Sequence, residues 1–178
     1  MFVQSYSKVN QLIELLFCVL LLFLMSQINI PLKPVPMTLQ SVAIMVIGLK
    51  FSSKIAVNAI LTYLLLGVCG MPVFAGFSSG YRVLYGPSCG YFVGFIVAVI
   101  TMNYVKLSRY QLFVRDILSC LAGTVIIYIC GVSWLIVGMG IDIEQAVRVG
   151  VMPFIIPGIV KAFILVIILN YLDSYRKC

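Results

Sequence analysis

GVCGMPVFAGFSSGYRVLYGPSCGYFVG, residues 67 to 94, lies between two apolar runs and reads differently from both. Glycine recurs along it, Pro72 and Pro87 interrupt it, and aromatic residues flank a single arginine, Arg82. Glycine adopts backbone conformations that other residues resist and lets a ligand approach the main chain closely. Proline fixes φ and ends helices. The part from Met71 to Pro87 is therefore a long connection without regular structure, of a length that is usually functional or disordered. Phe74, Phe77, Tyr81 and Tyr85 need burial, so the expectation is a folded binding loop.

On either side the chain is a membrane protein. Of its 178 residues, 63% are hydrophobic and only 10% are charged, and the mean hydropathy is +1.17. Soluble domains carry about 25% charged residues. Little is left over for a second unit, so a single membrane domain over residues 1–178 is expected. The net charge of +7 does not call for nucleic acid, because membrane proteins collect Lys and Arg in cytoplasmic loops. Histidine is absent, which removes the commonest general base and metal ligand. The six cysteines form no C-x-x-C pair and read as small buried hydrophobes. Cys69 and Cys89 flank the loop, and spacing alone does not pair them.

The apolar runs predict six helices, over residues 12–30, 36–50, 54–72, 88–106, 116–139 and 151–172. The first is long and no small-residue cleavage site follows it, so it reads as a retained helix rather than a signal peptide. Glu14 lies near its start, where a carboxylate complements the helix dipole. Pro31, Pro34 and Pro36 exclude helix before the second run, which is short and suits a tilted or partly inserted helix among neighbours. Ser52 or Ser53 is placed to cap the third helix. Asn58, Thr62 and Tyr63 lie within that helix, and polar groups in lipid should face the protein interior. Lys106 to Asp116 reads as a basic connection. Asp142 is placed to begin a short amphipathic helix before the last span.

Six spans put both termini on one side. Lys8, Lys50, Lys54, Lys106, Arg109, Arg115, Arg176 and Lys177 fall on that side, against Lys33, Arg82 and Arg148 opposite. The positive-inside rule makes the first side cytoplasmic and turns the residue 67–94 loop outward.

Lys161 is the strongest single signal. It lies about eight residues into the sixth predicted helix, roughly 12 Å along it at 1.5 Å per residue. An ionisable residue at that depth marks a functional site, although a long stem can also snorkel to an interface. Arg82 is placed to meet a carboxylate or to close a pocket, or to stand exposed on its loop. Tyr85, Ser88 and Tyr91 offer hydroxyls beside it. Thr38 and Gln40 add neutral donors and acceptors, and Phe74 and Gly76 belong to the loop that would form the wall. Together these describe an outward pocket for a small, largely apolar monoanion.

Four segments carry a family resemblance: IPLKPVPMTLQ (30–40), YLLLGVCGMPVFAGFSSG (63–80), GPSCGYFVGF (86–95) and PFIIPGIVKA (153–162). In order and spacing they resemble the BioY family, the biotin-binding S components of energy-coupling factor (ECF) transporters, over nearly the whole chain. The resemblance implies an all-α integral membrane bundle of six helices that captures biotin from outside. It also implies uptake energised by a transmembrane T subunit and two ATP-binding cassette ATPases in the cell membrane. It places Lys161 at the binding site. Two departures stand out. The family usually has an aspartate three residues before that lysine, where this chain has Gly158. The family's A-x-x-x-A docking spacing on the first helix is also missing, since no alanine lies between Leu12 and Ile30.

No GxxxxGK[ST] phosphate loop is present, so no cofactor is expected and transport energy must come from elsewhere. Three other readings exist. An S component for another small vitamin or related carboxylate would share the fold and differ in ligand. A membrane enzyme would need an acid, base or metal constellation that the spans do not offer. A purely structural membrane protein would need neither the buried lysine nor the aromatic-glycine loop.

Overall fold

The structure, a computed structural model, describes residues 8–108 and 110–175. Arg109, Arg176 and Lys177, three of the residues in the charge count above, lie outside these, as does Cys178.

Long apolar runs form helices because a helix satisfies its own backbone where no water is available, and the last of them continues through Pro157 and Gly158. The elements in order are α1 (Lys8–Gln27), β1 (Asn29–Ile30), β2 (Met37–Thr38), α2 (Gln40–Lys50), α3 (Ser53–Val68), a 3₁₀ turn (Ala75–Phe77), α4 (Tyr81–Leu84), α5 (Cys89–Val105), α6 (Leu112–Val137), α7 (Ile143–Gly150) and α8 (Met152–Tyr175). The six long helices α1, α2, α3, α5, α6 and α8 make an all-helical membrane bundle. Lys8–Gln27, Leu112–Val137 and the Ile143–Tyr175 stretch are each long and apolar enough to cross a membrane. By contrast α2 has 11 residues. Gln40, Ala43, Ile44, Met45, Ile47, Gly48 and Leu49 of this helix are all buried, so it is wrapped by other helices rather than by lipid.

Helices α5 and α6 make the most extensive helix–helix contact of the bundle. Gly90 and Gly94 make it possible. A side chain at Gly90 would overlap the Cys130 carbonyl and Trp134 Cβ, and one at Gly94 would press on the Ile127 backbone. Small residues at such a seam let two backbones approach closely. Two buried clusters fill the bundle. The larger includes Tyr63, Phe74, Tyr91, Phe92 and Phe95. The smaller joins Met45 and Leu49 of α2 to Met102, Cys120, Ala162, Leu165 and Val166.

The proline-rich segment forms a small antiparallel hairpin, with Asn29 opposite Thr38 and Ile30 opposite Met37. Pro31, Pro34 and Pro36 all fall in its loop, where no ladder hydrogen bond is asked of them. At the opposite end of α2, Lys106 Nζ donates to the Leu49 carbonyl over 2.6 Å. Burial and the neighbouring Arg115 lower the pKa of Lys106.

Several expectations need correction. The Met71–Pro87 connection contains the 3₁₀ turn and α4 rather than lacking regular structure. Of its four aromatics only Phe74 is buried, whereas Phe77, Tyr81 and Tyr85 are 64%, 61% and 73% exposed. The amphipathic rings of Tyr81 and Tyr85 suit a lipid–water boundary without protein cover, and Phe77 meets the Phe23 ring edge-on at 6.5 Å. The fifth long helix starts at Leu112, which brings Arg115 and Asp116 into its first turns as an ion pair at 2.9 Å. Ser52 is the N-cap of α3, with no side-chain capping bond. Asn58 is exposed on α3, while Tyr63 on the same helix is fully buried. One apolar stripe cannot bury both, because they lie five residues apart and five residues is well off the helical repeat. Cys69 and Cys89 are free thiols. The amphipathic helix after Asp142 forms as read: Asp142 caps α7 by accepting from the Glu144 N–H over 3.0 Å.

Candidate ligand-binding site

The hairpin, the Met71–Pro87 connection and the facing ends of α5, α6 and α8 enclose a cavity of about 290 Å³. It is walled by Phe74, Tyr91, Phe92, Phe95, Ile127 and Phe154. Phe74 is the keystone of the wall. Its ring meets Tyr63 edge-on at 5.6 Å and Phe92 at 5.4 Å. It reaches that place because residue 67 is glycine: any side chain there would overlap the Phe74 ring.

A chain of neutral groups holds the connection over the cavity. Gln40 Nε2 donates to the Tyr63 hydroxyl over 2.7 Å, and that hydroxyl donates to the Val73 carbonyl over 2.9 Å. Ser26 Oγ donates to the same carbonyl over 2.7 Å, and Gln27 Nε2 donates to the Phe74 carbonyl over 3.2 Å. Gln27 Oε1 in turn accepts from the Phe77 N–H over 3.0 Å. Phe77 has φ 56°, a left-handed conformation that a bulky residue keeps only when its surroundings hold it. Further along, Trp134 Nε1 donates to the Gly86 carbonyl over 3.0 Å.

Lys161 enters from α8. Its Nζ donates to the Thr38 carbonyl over 2.8 Å and reaches Ser41 Oγ at 3.4 Å. Thr38 Oγ1 accepts from the Gln40 N–H over 3.2 Å, so the start of α2 is ordered around the lysine. Arg82 stands at the mouth, exposed on α4. Among the described lining residues these two cations have no carboxylate beside them.

Most of the residues singled out from sequence meet here: Lys161, Arg82, Ser88, Tyr91, Thr38, Gln40 and Phe74 all line the cavity. Two do not. Tyr85, the C-cap of α4, is 73% exposed and lies outside the cavity lining. Gly76 shapes the turn with φ 66°, and its neighbours Ala75 and Ser78 supply the wall. The hydroxyl of Tyr91 is committed to the Gly150 carbonyl over 2.8 Å, so Tyr91 offers the ligand its ring and a lone pair. Sequence reading missed Ser41 and Tyr128. Ser41 lies one residue beyond Gln40 and carried a polar signal. Tyr128 sits in an unbroken apolar run of α6, where an aromatic reads as core.

A β-hairpin leading into a short buried helix, the Met71–Pro87 connection beside an aromatic cavity and a lysine within the last span define a membrane-embedded solute-binding subunit. Its fold matches a crystal structure of the S-component for biotin from an ECF-type ABC transporter, with a TM-score of 0.84 over 97% of this chain and 95% of that one at 23% identity. The chain belongs to the BioY family, whose model matches residues 3–177. A relative from Rickettsia prowazekii (strain Madrid E), the "Probable biotin transporter BioY", is 31% identical and covers 99% of this chain and 90% of its own length. The "Biotin transporter BioY" of Thermotoga maritima is 37% identical over 79% of this chain and 82% of its own length.

Proposed function

We propose that this chain is the biotin-binding S component of an ECF-type vitamin transporter, taking up biotin captured from outside the cell. The observation that carries the reading is the cavity's charge balance. Its described walls hold Lys161 and Arg82, several neutral hydrogen-bonding groups and no acid. Biotin has one carboxylate, a neutral ureido ring and an apolar thioether ring and chain, so each of its parts finds a matching surface. The cavity is at the small end of the range for ligand pockets, in keeping with a small vitamin. Lys161, Arg82, Thr38, Gln40, Ser88, Tyr91 and Phe74 are the contacts this reading assigns.

Residues 1–178 act as a single membrane unit in the cell membrane, with both termini in the cytoplasm and the cavity mouth outward. The excess of Lys and Arg on one side supports that orientation. A transmembrane T subunit and two ATP-binding cassette ATPases energise the uptake, as the family resemblance implies. Its function is transport and not catalysis. A second reading, an S component for another small vitamin or related carboxylate, draws on Gly158, which departs from the usual family pattern.

Equilibrium binding of labelled biotin to the purified chain tests the proposal. Tight, saturable binding that excess riboflavin or thiamine does not displace is expected. Folded protein that binds no biotin would overturn the biotin reading and leave the second one.

A further inference from the structure

We propose that the hydroxyl oxygen of Tyr128 is a ligand-facing hydrogen-bond acceptor that reads a ring N–H of the bound ligand, in the gap that Gly158 leaves on α8. The proposal rests on the biotin reading above and adds to it the way the ring end is recognised.

The Tyr128 hydroxyl donates to the Phe154 carbonyl over 2.6 Å. A phenol has one proton, so with that proton committed its oxygen has only lone pairs to offer. Both Tyr128 and Gly158 line the cavity. A Cβ at residue 158 would overlap the Tyr128 hydroxyl, and it would also touch the Thr124 methyl at 3.4 Å. The missing side chain is therefore what admits the phenol to the α8 wall. Lys161 follows three residues later on the same helix, a spacing that puts neighbours about 5–6 Å apart. That wall thus presents a group that only donates beside a group that only accepts.

A carboxylate suits the first group and repels the second, because it brings no proton to the phenol oxygen. A cyclic urea suits both, since its carbonyl is flanked by N–H groups. The ring end of the ligand then lies against α8, and a neutral oxygen selects it. This leaves the carboxylate for the cation at the mouth, Arg82.

The test compares biotin with its two cyclic carbamate analogues, in each of which one ureido N–H is replaced by oxygen. Each is titrated into the wild-type chain and into Tyr128→Phe. A site built to bond an N–H rejects a ligand that lacks it. Wild type is expected to bind one of the two analogues at least about tenfold more weakly than biotin, and Tyr128→Phe is expected to lose that discrimination. Tyr128→Phe also removes the bond to Phe154, and a purely structural effect of that loss would weaken all three ligands alike. Equal discrimination by both proteins against both analogues would overturn the proposal. A wild-type chain that binds no biotin overturns the functional reading itself, and this inference with it.

Discussion

The ammonium of Lys161 and the main-chain carbonyl of Thr38 are 2.8 Å apart although 123 residues separate them. This bond ties the last long helix to the strand that leads into α2, in the wall of the cavity. Lys161→Ala removes a charged donor from that wall. Hydrogen bonds to charged groups contribute about 1.5–3 kcal/mol, so biotin affinity is expected to fall by roughly ten- to a hundredfold. Lys161→Arg should restore only part of it, because a planar fork cannot repeat a point charge's geometry. Titration with labelled biotin checks both, and an unchanged affinity in Lys161→Ala would remove the lysine from the site.

Tyr63 bridges the cavity and the Met71–Pro87 connection through Gln40 and Val73. Tyr63→Phe strips a buried amide of its partner, which costs about 1–3 kcal/mol. A melting temperature lower by several degrees is expected, with faster protease cleavage between residues 71 and 80. Trp134 is the only tryptophan and bonds to the Gly86 carbonyl, so its fluorescence reports on the same connection. A variant as stable and as protease-resistant as wild type would show that the bridge holds nothing.

Glycine-to-alanine substitutions should separate by what the new methyl meets. Gly90→Ala drives a methyl into the Cys130 carbonyl, and Gly48→Ala meets the thioether of Met102. Backbone cannot yield, whereas methionine readily changes rotamer. Overpacking is expected to cost about 1–3 kcal/mol or more at Gly90 and less than about 1.5 kcal/mol at Gly48. Thermal midpoints in one detergent rank the two, and the reverse order would contradict the packing.

Asp173→Asn should matter little. The Lys50–Asp173 pair is short, at 2.6 Å, yet its side chains are 33% and 37% exposed. Exposed pairs contribute less than about 1 kcal/mol. A melting temperature within a degree or two of wild type is expected, and a collapse of the fold would show that the pair anchors α2 to α8.

Orientation is checked at Cys69, an exposed thiol beside the Met71–Pro87 connection. In a Cys178→Ser background, a membrane-impermeant maleimide should label Cys69 in whole cells. Labelling only after permeabilisation would invert the topology.

The sequence spoke clearly where physics is local. Proline at residues 31, 34 and 36 excludes helix wherever the rest of the chain goes, Asp142 announces a cap, and a lysine inside an apolar run is conspicuous in any context. It spoke less clearly where the answer depends on how a helix is rotated about its axis. Tyr85 and Arg82 are three residues apart, and only the placement of α4 shows that Arg82 lines the cavity and Tyr85 does not. Asn58 looked interior because polarity in a span is costly, yet the face it occupies is fixed by Tyr63 and its partners on α1 and α2. Tyr128 was hidden for a different reason. Its role depends on an atom that is absent, the Cβ of residue 158, and no pattern of residue types along α6 reveals space on α8.

The groups that hold the Met71–Pro87 connection, Ser26, Gln27 and Tyr63 against the Val73 and Phe74 carbonyls with Gln40 behind Tyr63, are hydroxyls and amides. Ions screen attractions between exposed charges and leave short neutral contacts inside protein almost untouched. Arg82, exposed at the cavity, and these neutral contacts therefore answer differently to salt. Raising ionic strength should slow the arrival of an anion at Arg82 and weaken its hold there, while the connection itself stays as firmly seated as before.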